Sequence, residues 1–170
     1  MHAAEIEIET TAVSNVLTLE PLLDETERAE PDAGRYVAFY FGESLYCVAA
    51  AEVAEVTHPL PVSPLPNGPA SLYGISQLRG EIAAIVDLRT LLGERESQSA
   101  IRTKFVVLRS ADDDTRVAFP VDRMHEFVSF TDGGSRRQSS SNPFVAFRAA
   151  VGDSIVDVVD IQMVKTTLGQ

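Results

Sequence analysis

From Arg35 onward the chain is written in short apolar runs separated by glycine-containing or polar turns. Tyr36-Val37-Ala38-Phe39-Tyr40-Phe41 is followed by Gly42-Glu43-Ser44 and then by Leu45-Tyr46-Cys47-Val48. Aromatic and β-branched runs on either side of a short polar turn predict a β-hairpin. One helical turn is expected over Ala49 to Glu52, after which Val53-Ala54-Glu55-Val56-Thr57 resumes as a strand. Five prolines follow, Pro59, Pro61, Pro64, Pro66 and Pro69. Each removes a backbone donor and fixes φ, so the stretch is expected to be an extended loop and not an interior strand. Leu72 to Leu78, the turn Arg79-Gly80-Glu81 and Ile82-Ala83-Ala84-Ile85-Val86 predict a second hairpin. Asp87 is placed to cap a short helix over Leu88 to Leu92, which Gly93 ends.

The pattern then recurs. Lys104-Phe105-Val106-Val107-Leu108 opens a strand, Asp112-Asp113-Asp114 reads as a hairpin tip, and Val117-Ala118-Phe119 and Met124-His125-Glu126-Phe127-Val128 follow. After a polar loop from Thr131 to Pro143 come Phe144 to Val151, the turn Gly152-Asp153, Ile155-Val156-Asp157-Val158-Val159 and a last helix capped by Asp160. Glu55-Val56 aligns with Glu126-Phe127 at an offset of 71, and Ile85-Val86-Asp87-Leu88 with Val158-Val159-Asp160-Ile161 at an offset of 73. Two tandem copies of a roughly five-stranded unit are implied. Short strands with closely spaced turns favour small closed or half-closed barrels, which protect their edges by closure. Each unit alone is small for a stable core. The expectation is a mainly β domain over residues 35–168: lobe one at about 35–95, lobe two at about 103–160, a closing helix at about 160–168, and the lobes packed on one another.

Charge divides the chain differently. Residues 1–34 carry nine acids against Arg28, a net −8 of the total −11. This acidic extension is expected to be flexible, either a solvated tail or a docking peptide or lid. The remaining residues are nearly balanced at −3. Neither part has the clustered Lys and Arg that a phosphate backbone rewards, which argues against nucleic-acid binding. The single cysteine, Cys47, forms no disulfide within the chain. No apolar run reaches the length of a membrane span, and the first residues lack the basic and apolar regions of a secretory signal. A cytoplasmic location is expected, without direct membrane insertion.

Catalysis needs convergent acids, bases or nucleophiles, and the chain supplies none in an identifiable pattern. His2, His58 and His125 are scattered away from metal-ligand spacing. Cys47 sits in an apolar strand as a structural thiol. Gly133-Gly134 is no phosphate cradle, and Arg136-Arg137 with Ser139-Ser140-Ser141 reads as a solvated loop. No enzyme, cofactor or metal site is expected. Arg79 stands apart, because a tight turn before Gly80 would hold its guanidinium outward. A planar, rigidly aimed fork suits a protein interface; the alternative is an arginine that braces its own lobe.

The run Gly74-Ile75-Ser76-Gln77-Leu78-Arg79-Gly80-Glu81-Ile82-Ala83-Ala84-Ile85-Val86-Asp87-Leu88-Arg89 resembles the signature of the CheW coupling-protein family. Val53-Ala54-Glu55-Val56, the proline-rich loop with Pro66-Asn67-Gly68-Pro69-Ala70, and Phe119-Pro120-Val121-Asp122-Arg123-Met124 are similar to that family in order. Gln77 replaces its usual Asn, Ala84 a common Pro, and Arg148 a small residue, often Gly. The resemblance covers roughly residues 35–168 and implies two Src-homology-3-like barrel lobes. It also implies a non-catalytic scaffold that couples the cytoplasmic tip of a methyl-accepting chemoreceptor to a CheA-like histidine kinase, recruited to membrane receptor arrays through these partners. Arg79, Glu55, Val56 and Gly74 are the partner-binding residues it points to. Two other readings stay open: a coupling protein of a type IV pilus or other chemosensory-like pathway, and a small-molecule-binding β-barrel.

Overall fold

The computed structural model describes residues 34–95, 103–110, 116–130 and 138–169. The acidic stretch through residue 33, the Asp112-Asp113-Asp114 tip, Gly133-Gly134 and Arg136-Arg137 lie outside the described residues. The first hairpin joins β1 (Arg35–Phe41) and β2 (Ser44–Ala49), and a 3₁₀ turn (Ala50–Glu52) leads to β3 (Val53–Thr57). After the proline-rich loop come β4 (Leu72–Leu78), β5 (Glu81–Val86) and the helix α1 (Leu88–Leu92). The second copy follows with β6 (Lys104–Leu108), β7 (Arg116–Val121), β8 (Arg123–Met124), β9 (Val128–Ser129), β10 (Val145–Val151), β11 (Ser154–Val159) and α2 (Ile161–Thr167). Asp87 and Asp160 cap the helices as expected, accepting the N–H of Thr90 at 3.3 Å and of Met163 at 3.0 Å.

These strands form two sheets, and their membership corrects the boundaries drawn at about 35–95 and about 103–160. One sheet runs β3-β6-β7-β5-β4, the other β10-β11-β2-β1-β8 with β9 also on β1. The copies have exchanged their first hairpins. The inner lobe is the continuous stretch β3 to β7. The outer lobe combines β1–β2 with β8 to β11. Parallel pairing makes the exchange: β11 lies beside β2 and β5 beside β7. The repeat itself is real, since β4–β5 and β10–β11 correspond residue for residue at the predicted offset, including a bulge at Leu72/Gly74 and at Val145/Phe147.

The exchange explains why the strands of the first hairpins are almost continuously apolar: each of their faces is buried. Val37, Phe39, Tyr46 and Val48 from the outer lobe meet Val106, Leu108, Val117 and Phe119 from the inner lobe in one core at the seam. Phe39 is fully buried there, its ring 5.3 Å from that of Phe119 and 5.4 Å from that of Phe41. The intervening residues turn inward to their own lobe. Ala38 and Cys47 join Val156 and Val158 in the outer one; Val107 and Ala118 join Ile85 in the inner one. The lobes therefore share a core.

Candidate partner-binding site

Arg79 and Gly80 form a two-residue turn between β4 and β5, with Leu78 opposite Glu81. Their φ values, 52° and 88°, are the pair of positive angles that a type I′ hairpin requires. Gly80 accepts that geometry freely. A left-handed arginine is uncommon, and it aims a long cation away from the sheet. The Arg79 side chain is 77% exposed and its Nη2 donates to Glu55 Oε2 at 2.5 Å. Glu55 lies on β3, at the sheet edge opposite β4, so this ion pair links the two margins of the inner lobe. Val56, next to Glu55, is 40% exposed. Val56 alternates with Glu55 along β3, opposite Val106 where Glu55 is opposite Val107, so its side chain leaves the other face of the strand and the contact itself is Arg79 with Glu55.

Gly74 has another task. It is buried, and a Cβ built there would lie 2.4 Å from the Ser63 carbonyl oxygen and 2.8 Å from Val62. The bare backbone lets the proline-rich loop run against β4, where Ser63 and Ile75 exchange bonds of 2.8 and 2.9 Å and the Ser76 hydroxyl donates to the Pro61 carbonyl at 2.7 Å. Gly74 supports the loop and does not itself offer a contact surface.

A second patch, absent from the sequence expectation, lies on the outer lobe. Phe127 is 61% exposed, with the Arg35 guanidinium 5.0 Å from its ring centroid. Five residues further along β1 from Arg35, Arg123 lies over Tyr40 at 3.5 Å, and His125 meets the same ring edge-on. The signal was in the repeat, because Glu126-Phe127 is the copy of Glu55-Val56. Ile82 and Ile155, the same position of the two later hairpins, are likewise exposed.

An open cleft of about 420 Å³ is bordered by Tyr40, Glu43, Tyr46, Glu94, Arg148 and Asp157 among others. Its strongest groups are already paired with one another. Arg148 Nε lies 2.8 Å from Asp157 Oδ1, and the Tyr46 hydroxyl donates to Glu94 Oε1 at 2.5 Å. Burial, with the Glu94 contact added, pushes the Tyr46 hydroxyl well above its ordinary value. Burial also pushes the Cys47 thiol up to about 12, in keeping with a structural role. Among the described residues no three His, Cys, Asp or Glu side chains gather to hold a metal ion, and no helix is long and apolar enough to cross a membrane.

A duplicated, hairpin-exchanged β protein with its distinctive groups on outer faces has the build of an interaction module. The chain belongs to the CheW-like domain family, whose model matches residues 35–166. It is 32% identical over 71 residues to the chemotaxis protein CheW of Rhizobium meliloti (strain 1021), covering 42% of this chain and 46% of the relative. To the probable chemotaxis protein CheW of Rhizobium etli it is 28% identical over 96 residues, 56% of this chain and 61% of the relative. These matches span about half the length of the curated relatives. The scaffolding protein TtCheW from Thermoanaerobacter tengcongensis has the same fold, with a TM-score of 0.67 at 20% identity, covering 79% of this chain and 88% of that one.

Proposed function

We infer that this protein is a non-catalytic coupling scaffold of chemotaxis signal transduction, bridging a chemoreceptor's cytoplasmic tip and a CheA-like histidine kinase. The observation that carries this reading is the Arg79–Glu55 ion pair: an outward, partly oriented guanidinium and carboxylate that join the two edges of the inner lobe at a two-residue hairpin turn. Such a pair can anchor a protein partner without reactive chemistry. Family membership and the names of the relatives support the pathway. Holding two partners at once raises their effective concentration and sets their relative orientation, and receptor states that differ in contacts then shift the kinase's population. The scaffold reaches receptor arrays through its partners.

Arg79→Asn tests this. Asparagine tolerates the left-handed turn, so stability should change by less than about 0.5 kcal/mol, while capture of a kinase regulatory domain should weaken about tenfold or more. Unchanged affinity in a titration would remove Arg79 from the interface. Co-purification of a pilus-pathway kinase instead of a chemotaxis kinase would reassign the pathway.

A further inference from the structure

The chain passes between the lobes at two places, and each passage is pinned by a helix from across the seam. Between β7 and β8 the crossing residue is Asp122. Its Oδ1 takes the Arg89 guanidinium from α1, and its Oδ2 accepts the N–H of Gly42 at 2.7 Å. Its carbonyl accepts the Thr103 hydroxyl at 2.6 Å, and its own N–H donates to the Tyr40 carbonyl at 3.2 Å. One residue thereby grips both lobes. Arg89 also lies 4.7 Å above the Phe41 ring centroid. Two more bonds fasten the end of α1 to the outer lobe: Tyr46 to Glu94, and Asn142 Nδ2 to the Leu92 carbonyl at 3.0 Å.

At the other crossing, Ala50–Glu52, Glu52 accepts Lys165 Nζ at 2.9 Å and Gln162 Nε2 at 3.2 Å from α2. Gln162 is the copy of Arg89, so the device occurs twice. The two differ in burial. The Arg89 and Asp122 side chains are 8% and 12% exposed; those of Lys165 and Glu52 are 20% and 31% exposed.

We propose that the buried Arg89–Asp122 pair is the positioning element that fixes the angle between the lobes, and with it the spacing of the Arg79 and Phe127 patches. A buried ion pair adds little net stability, because desolvation offsets most of the attraction. What it adds is geometry: a planar fork and a carboxylate with both oxygens engaged are satisfied in one arrangement, whereas an apolar seam alone can slide. The benefit to signalling rests on the coupling reading above; the mechanical claim does not.

The test uses the full chain with Ile82→Cys and Ile155→Cys, one exposed label site on each lobe, and a spin-label distance distribution. Cys47 is buried and stays unlabelled in the folded protein. The background should give one narrow distance. Arg89→Met with Asp122→Asn leaves no orphan charge and should keep a single melting transition while broadening the distribution about twofold. Glu52→Gln with Lys165→Met should broaden it less. An unchanged distribution in the folded Arg89/Asp122 variant, or equal broadening from both pairs, overturns the proposal. Should that variant lose cooperative melting, Arg89→Lys, which keeps the charge and loses the fork, decides: broadening supports the assignment and an unchanged width overturns it. Because the isolated chain is measured, failure of partner binding would leave this result standing.

Discussion

The later hairpins of the two lobes, β4–β5 and β10–β11, share a skeleton and differ in surface. In each, the residue after the second strand caps a helix and donates its N–H at 2.8 Å to a carbonyl just ahead of the first strand, Asp87 to Ser71 and Asp160 to Phe144. Each has a bulge at the same place and an exposed isoleucine at the same place. The inner hairpin, however, turns through Arg79-Gly80 and the outer through Gly152-Asp153. Gly74 admits the proline-rich loop, whereas its copy, Phe147, packs its ring 5.9 Å from that of Phe130 and 6.4 Å from that of Tyr36. Backbone devices were duplicated because burial and hydrogen bonding hold each in place. Exposed positions carry no such constraint.

If the lobes truly share their core, the largest effect should come from the seam. Phe39→Ala should cost about 3–5 kcal/mol in denaturant unfolding, with amide protection in both sheets lost in a single transition. Loss confined to the outer lobe would show two independent units. A smaller effect should separate the two hairpins. Gly74→Ala drives a methyl into the Ser63 carbonyl and should cost about 1–3 kcal/mol, with faster proteolysis between residues 58 and 70. Ordinary stability and unchanged cleavage would mean that the loop does not depend on that close approach.

The smallest effect concerns the two lobe interiors, where Cys47 of the outer lobe corresponds to Ala118 of the inner. Burial, and secondarily the charge of Asp157, raise the Cys47 thiol to about 12. The folded chain keeps this proton where the unfolded chain releases it, at about 8.5. Its contribution is therefore complete below about pH 8.5 and declines as pH rises toward about 12, by at most about 1.4 kcal/mol per pH unit. Stability should fall more steeply between pH 8.5 and 10 in the natural chain than in Cys47→Ala. Parallel slopes would show that the thiol is not desolvated.

Much of this was legible in the residues. Most of the strands, both aspartate caps, the proline-rich loop, the Arg79-Gly80 turn and the repeat follow from local pattern, because local sterics and capping decide them; the expected run from Met124 to Val128 instead breaks between β8 and β9. Arg79, Glu55 and Val56 were named together; Arg79 and Glu55 meet as an ion pair, while Val56 leaves the other face of β3. Gly74 was placed with them although it is buried, since a close backbone approach depends on a loop eleven residues away. Phe127 was passed over although the repeat marked it as the copy of Val56.

What the sequence alone determined is the set of parts: two copies of a five-stranded unit, their turns and caps, and which residues are apolar. What only tertiary structure decided is which hairpin joins which copy, where the two crossings lie, and that Arg89 meets Asp122 at one of them. The reason is physical. Hydrophobic periodicity reports that a strand has two buried faces, but not which neighbour covers each. That choice rests on the parallel pairings of β2 with β11 and of β5 with β7, and on a seam core contributed by residues far apart in the chain.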